Sequence, residues 1–169
     1  MNISFSIIMA TYNRKSCIKN AIDSLFSQTY QNFELIIIDD GSTDGTENYI
    51  KEIYKNDIEK NKIKYIKLSE NKGVSFARNE GLKLAKNKWI AHLDTDNKMY
   101  PSYLETYADY IYKNPEYKIF YAKIKHRNSG LIFGHEFNFQ ELLRSNYIDN
   151  NIIVHDIDLF KEIGGYRLE

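Results

Sequence analysis

The sequence is poor in the features that would mark several common protein classes. It has one cysteine, Cys17, in 169 residues, which excludes an internal disulfide and any metal site built from several thiolates. Cys17 falls in a predicted helix and reads as a buried, inert thiol. Net charge is also lacking. The 23 Lys and Arg balance the 23 Asp and Glu, so there is no broad positive footprint for nucleic acid or an anionic membrane. Basic residues do gather between Lys51 and Lys72, but acidic residues are interspersed, as on a solvated helix face and strand edge. No run approaches the roughly 20 apolar residues that a membrane-spanning helix needs. The opening "MNISFSIIMATYNR" has only a brief apolar run and no basic start, so no signal peptide is expected. These absences predict a soluble, cytoplasmic chain, with peripheral attachment at the inner membrane face as the alternative placement.

What is present suits one globular domain with a real core: 43% of residues are hydrophobic and 14% aromatic. Strands and helices alternate. A short apolar strand is expected over residues 4–10 and a helix over 15–28, with Ile18, Ala21, Ile22 and Leu25 at helical spacing. "FELIIID", residues 33–39, is apolar on both faces, as a central parallel strand would be. "DGSTDGT" is a turn, with Asp44 or Thr46 capping a helix that carries Tyr49, Ile50, Ile53 and Tyr54. Residues 63–68 alternate like a half-exposed strand. Residues 73–86 form a helix with Val74, Ala77, Leu84 and Ala85 facing inward, and 89–93 form a fourth strand. Pro101 suits the first turn of a helix reaching residue 113. Beyond it the pattern loosens. "YKIFYAKI", "GLIF" and "NIIVH" read as strands, "FNFQELLRS" as a short helix, and "DIDLFKEIGGY" as a helix stopped by Gly164 and Gly165. The prediction is α/β: a doubly wound, mostly parallel sheet with helices on both faces and the irregular remainder on one edge.

Ligands of such sheets bind beyond the carboxyl ends of the strands. Those ends carry "ATYNR", "DDGSTD", "SENKGVSFARN" and "DTDN", and four polar clusters converging on one rim are hard to ascribe to turns alone. Each keeps a plainer alternative. Asp94 and Asp96 could share a hard divalent cation, Mg²⁺ or Mn²⁺, with substrate phosphates, or form an Asp-rich turn. Asp39 can accept a ribose hydroxyl or a base N–H, or close an ordinary strand–turn–helix connection. Gly73 opens a helix whose N-terminus favours phosphate. Arg78 could neutralise a diphosphate or pair with a nearby carboxylate. Tyr12 offers a face for stacking a base, or is one of fourteen tyrosines. His92, among apolar neighbours, reads as a core histidine.

Taken together, "SIIMATYNR", "QTYQNFELIIIDDGSTDGT", "ENKGVSFARNEGLKLAKNKWIAHLDTDN" and "LFKEIGGY" resemble, in order and spacing, family 2 glycosyltransferases of the GT-A fold, over nearly the whole chain. The resemblance implies sugar transfer from a nucleotide-sugar donor, usually UDP-linked, to a saccharide or lipid-linked acceptor in polysaccharide biosynthesis, with Mn²⁺ or Mg²⁺ on the diphosphate. By its motifs, Ala10, Thr11 and Tyr12 line the nucleobase pocket. Asp40 meets the base edge, with Asp39 beside it near the ribose. Arg78 approaches the diphosphate, Asp94 and Thr95 contact the donor, and Asp96 binds the metal, with Asp94 and His155 as further candidate ligands. Residues 1–97 become the donor-binding half and 98–169 an incomplete acceptor-side half of one domain.

Relatives carry their general base beyond the "GGY" turn, so the resemblance places that base past Glu169. Donor binding with poor transfer is therefore expected, with Asp156 and Asp158 in capping or solvated roles. Leu159, Phe160 and Ile163 are expected to be partly uncovered and to favour self-association. Two other classes stay open: a catalytically silent nucleotide-sugar-binding module or partner subunit of a complete transferase, and a nucleotidyltransferase-like enzyme. The second is disfavoured because "ATYNRKS" has no glycine for a phosphate loop.

Overall fold

The computed structural model describes residues 2–125, 130, 132–134 and 136–168. Leu131, part of one expected strand, and Glu169 lie outside them. The elements run β1 (Phe5–Thr11), α1 (Ile18–Phe26), β2 (Phe33–Asp39), α2 (Thr46–Ile53), α3 (Lys55–Glu59), β3 (Ile63–Lys67), α4 (Val74–Leu84) and β4 (Trp89–His92). After these come α5 (Tyr103–Lys113), β5 (Ile119–Tyr121), β6 (Ile124–Lys125), β7 (Ile132–Phe133), α6 (Phe139–Arg144), a 3₁₀ turn (Asn150–Ile152), β8 (Ile153–Asp156) and α7 (Ile157–Ile163). Six strands form one sheet in the order β3-β2-β1-β4-β8-β5, and β6 pairs with β7 separately. The strands β3, β2, β1 and β4 are mutually parallel, whereas β8 is antiparallel to both β4 and β5. The chain order reverses across β1, and a crevice opens beyond the strand ends at such a switch point.

Apolar side chains on both sheet faces explain the layering. Ile7, Met9, Leu35, Ile37, Trp89 and Ala91 face α1, α2 and α5, burying Ile22, Leu25, Ile50, Leu104 and Ile111. On the opposite face Ile8 and Ile90 pack with Leu82 of α4 and Phe160 of α7, and Ile36 and Ile38 with Ala77. This is the expected sheet with helices on both sides.

Several details differ from the sequence reading. Val74 is 50% exposed and Ile53 48%; the buried positions of α4 are Ala77, Gly81 and Leu82. Val74, at the start of α4, lines a cleft at the carboxyl ends of the strands instead of packing on the sheet. Pro101 sits in the turn before α5, whose N-cap is Ser102, and its carbonyl accepts the Thr29 N–H at 2.9 Å. Cys17 is a half-buried N-cap of α1 rather than a buried helix residue. Of the three apolar positions expected to be uncovered in α7, Phe160 packs on the Ile8 and Ile90 cluster, while Ile163 is 75% exposed. Among the described residues, no helix is long and apolar enough to cross a membrane.

Candidate functional site

A cleft of about 390 Å³ lies over the carboxyl ends of β1, β2 and β4. Its walls are loops tied to one another. Asn13, with φ of 53°, turns the chain after β1. Its N–H donates to Ser42 Oγ at 2.8 Å, its Oδ1 accepts the Thr43 N–H at 2.8 Å, and the Lys15 N–H donates to Asp44 Oδ2 at 3.0 Å. Asp44 Oδ1 in turn accepts from Thr46 N and Oγ1. The polar residues that read as turn formers therefore lock the first two loops together.

Ala10, Thr11 and Tyr12 line this cleft. Thr11 is buried, and its Oγ1 has no hydrogen-bond partner among the described residues. Tyr12 is 45% exposed, its ring open to the cleft. Asp40 also lines it, but is nearly buried, and its two oxygens accept the backbone N–H groups of Lys72 and Gly73, each at 2.8 Å. The carboxylate thus holds the loop that leads into α4, and a carboxylate has about four acceptor positions, so two remain. Gly41 makes this approach possible. Its φ is +80°, and a Cβ there would lie 2.7 Å from the Glu70 carbonyl carbon.

Asp39 departs from expectation. It is fully buried on the other side of the β2 end and does not line the cleft. One oxygen accepts the Ser42 N–H at 2.8 Å and the other accepts the Tyr65 hydroxyl. Burial first, and then this hydrogen bond, raises the Tyr65 pKa and keeps the hydroxyl a donor. Alternation along a strand sends neighbouring side chains to opposite faces, so only one of the paired aspartates can face α4 and the cleft.

The end of β4 is organised around Asp94. Arg78 Nη2 donates to Asp94 Oδ1 at 3.0 Å, and Asn151 Nδ2 donates to Asp94 Oδ2 at 2.8 Å. Thr95 is buried at the cleft wall, whereas Asp96 is exposed there. Asp96 makes no hydrogen bond or ion pair with the described residues. A hard divalent cation that draws its other ligands from water and phosphate oxygens fits this unpaired carboxylate; Asp94 beside it accepts one donor on each oxygen, from Arg78 and Asn151, and keeps two acceptor positions. Among the described residues, no three His, Cys, Asp or Glu are grouped to hold a metal by themselves.

His155 is not brought to this rim. Because β8 runs antiparallel to β4, His155 lies opposite Ile90, four residues before Asp94. It stacks on His92 with ring centroids 6.0 Å apart. His92 is a core histidine, as expected, and burial holds its pKa well below the ordinary value. Asp156 caps α7, accepting the Asp158 N–H at 2.9 Å, and Asp158 pairs with Lys161. The sequence reading missed Arg14 and Asn71, which line the cleft, and Asn151, which holds Asp94 from 57 positions away. No local pattern distinguishes these residues from ordinary loop positions.

The same architecture recurs in solved glycosyltransferases. S. aureus TarS 1–349 in complex with UDP superposes with a TM-score of 0.77 at 26% identity, covering 97% of this chain and 50% of that one. The mannosyltransferase PcManGT of Pyrobaculum calidifontis, in complex with GDP-Man and Mn²⁺, gives 0.78 at 18% identity, covering 98% and 48%, which is a likeness of fold. By sequence, the Escherichia coli UDP-Glc:alpha-D-GlcNAc-diphosphoundecaprenol beta-1,3-glucosyltransferase WfaP is 47% identical over 92 residues, 54% of this chain and 35% of the relative. The chain therefore spans about half the length of those structures and about a third of that relative. Residues 6–160 match the sequence profile of "Glycosyl transferase family 2". The sheet is that of a GT-A glycosyltransferase, and the chain belongs to glycosyl transferase family 2.

Proposed function

We propose that the cleft binds a UDP-sugar, and that the chain serves inverting transfer of that sugar to a saccharide or lipid-linked acceptor in polysaccharide biosynthesis. The observation that carries this reading is the polarity of the cleft. The lining combines an aromatic face, Tyr12, and a recessed carboxylate, Asp40, at the start of α4 with the Arg78–Asp94 ion pair and the unpaired Asp96. An aromatic face beside an acceptor suits a base, and an arginine beside a carboxylate free to hold a divalent cation suits a diphosphate.

Tyr12 would stack on the uracil, and the unused lone pairs of Asp40 would accept its N3–H. Cytosine has no hydrogen at that position, so a recessed acceptor would be left unpaired against it. Arg78 would donate to the diphosphate. Thr95 and Asp94 would border the donor sugar. Asp96 would hold Mn²⁺ or Mg²⁺; such an ion, when bound, supplies charge stabilisation for the departing nucleoside diphosphate. In this reading residues 1–97 are the donor-binding half and 98–169 the acceptor-side half of one domain.

Calorimetry with the 169-residue chain tests the reading. UDP is expected to bind more tightly in Mn²⁺ than in EDTA and more tightly than CDP. Asp96→Ala should remove the metal effect without lowering Tm, because the side chain is exposed and unpaired. UDP affinity that is identical in Mn²⁺ and EDTA would refute the metal role. Equal affinities for UDP and CDP would refute the assignment of Asp40.

A further inference from the structure

Asp94 is held from two sides, and its two holders are tied to each other. Arg78 donates to Oδ1 at 3.0 Å. On the other side Asn151 Oδ1 accepts the Asp94 N–H at 2.7 Å, while its Nδ2 donates to Asp94 Oδ2 at 2.8 Å and to Asp149 Oδ1 at 2.9 Å. The neighbouring Asn150 accepts the Tyr166 hydroxyl proton through Oδ1 at 2.7 Å. The Tyr166 ring lies against the Arg78 guanidinium, 5.6 Å from centroid to Cζ. The contacts close a ring: Asp94, Asn151, Asn150, Tyr166, Arg78 and back to Asp94.

The two glycines before Tyr166 explain how it reaches this place. Gly164 ends α7 in the left-handed conformation. Gly165 has φ of +85°, and a Cβ there would lie 2.3 Å from the Phe160 ring and 2.6 Å from Asn79 Oδ1. Asn79 then grips the Tyr166 main chain both ways, accepting its N–H and donating to its carbonyl, each at 2.8 Å. Because Asn79 follows Arg78 on α4, the helix that carries the guanidinium also fixes the ring beneath it. His92 Nε2 lies 3.1 Å from the Tyr166 hydroxyl oxygen, a further contact on the ring's polar tip.

We infer that Tyr166 and Asn151 are positioning residues of the donor site: they hold Arg78 and Asp94 in place before the donor arrives. The inference rests on the donor reading above. A long arginine side chain that must be ordered on binding weakens the complex, and one already ordered by an ion pair and a ring does not. The Asp94 carboxylate is likewise fixed in orientation by donors on both oxygens.

The test compares Tyr166→Leu with Tyr166→Phe by UDP calorimetry and by the ¹⁵N–¹H signal of Arg78 Nε. In the parent that signal is expected to be slowly exchanging and ring-current-shifted. Tyr166→Leu should abolish the shift and weaken UDP binding about two- to tenfold, the cost of ordering one long side chain on binding. Tyr166→Phe, which restores the ring but not the hydroxyl, should recover the shift and most of the affinity. Asn151→Ala frees Asp94 and leaves the ring in place, so it should weaken a UDP-sugar more than UDP while keeping the shifted signal, and with a UDP-sugar as the probe it stands in if Tyr166→Leu fails to fold. Unchanged UDP affinity in Tyr166→Leu, or unchanged UDP-sugar affinity in Asn151→Ala as its stand-in, would overturn the inference. So would a Phe variant as weak as Leu, since the hydroxyl or packing would then be responsible. If the parent binds no UDP, the donor reading falls, and loss or survival of the Arg78 signal in Tyr166→Leu decides for or against the ring contact by itself.

Discussion

Asp40→Asn is the substitution that best separates the structural task of this residue from its proposed recognition task. In the parent, both carboxylate oxygens accept backbone N–H groups, from Lys72 and Gly73, at 2.8 Å and with almost no exposure. The amide keeps one acceptor oxygen and turns a pair of hydrogens toward the other N–H. One charge-assisted bond is lost, and a buried N–H faces a donor. A hydrogen bond to a charged group contributes about 1.5–3 kcal/mol. In a domain of this size each kcal/mol moves Tm by about 2–4 °C, so the drop should be about 3–12 °C. Differential scanning calorimetry without ligand reads this directly. The loop at 70–73 also carries Asn71 and leads into the first turn of α4, so UDP should weaken as well. A Tm within 1 °C of the parent would refute the reasoning, because it would mean that Asp40 does not hold the loop. The result also governs how base selectivity is measured. Asp40→Ala removes both bonds to the loop, so weaker UDP binding in that variant reports loop disorder as much as base recognition. The UDP-to-CDP ratio, rather than UDP affinity alone, is therefore the meaningful quantity.

Two further perturbations follow from packing and burial. Gly165→Ala should cost about 2–4 kcal/mol, combining roughly 1–2 kcal/mol for a left-handed alanine with the clash against Phe160 and Asn79; a scanning-calorimetry Tm within 2 °C of the parent would show that the turn relaxes freely. His92 and His155 both have pKa values lowered chiefly by burial. Their folded forms resist protonation that the unfolded chain accepts near pH 6.5. The stability they contribute is fully present above about pH 6.5 and is lost as pH falls toward the depressed folded values, by at most about 1.4 kcal/mol per pH unit for each group. Urea midpoints measured from pH 7.5 to 5 should fall steadily below 6.5, and a flat profile would contradict the burial argument.

The site itself is built from short polar segments whose local reading as turns was correct and insufficient. Ser42, Thr43 and Asp44 do make turn hydrogen bonds, but they make them to the loop after β1. The cleft floor is therefore a joined surface rather than separate loops, which favours a preformed site over one that orders on binding.

Much of the architecture was legible in the residues because it is local and periodic. "FELIIID" is apolar at every position but Glu34 and Asp39, and it became β2 in the centre of the parallel strands, with its bounds as read. Ile18, Ala21, Ile22 and Leu25 share a helical face and are all buried. The clusters at the strand ends met on one rim because parallel strands present all their carboxyl ends together. The polar clusters are local as well, so Tyr12, Arg78, Asp94 and Asp96 could be named as candidates from the residues, while the family resemblance supplied Ala10, Thr11, Asp40 and Thr95; all border one cleft. Tertiary structure decided what spacing cannot encode. Which of Asp39 and Asp40 faces the cleft depends on what lies on each side of the sheet, Tyr65 or the start of α4. The distance of His155 from Asp96 depends on β8 entering antiparallel, a choice of strand direction that "NIIVH" does not reveal. Asn151 and Tyr166 reach Asp94 and Arg78 across 57 and 88 positions of sequence; such contacts form when the whole sheet has assembled, and no pattern within one segment records them.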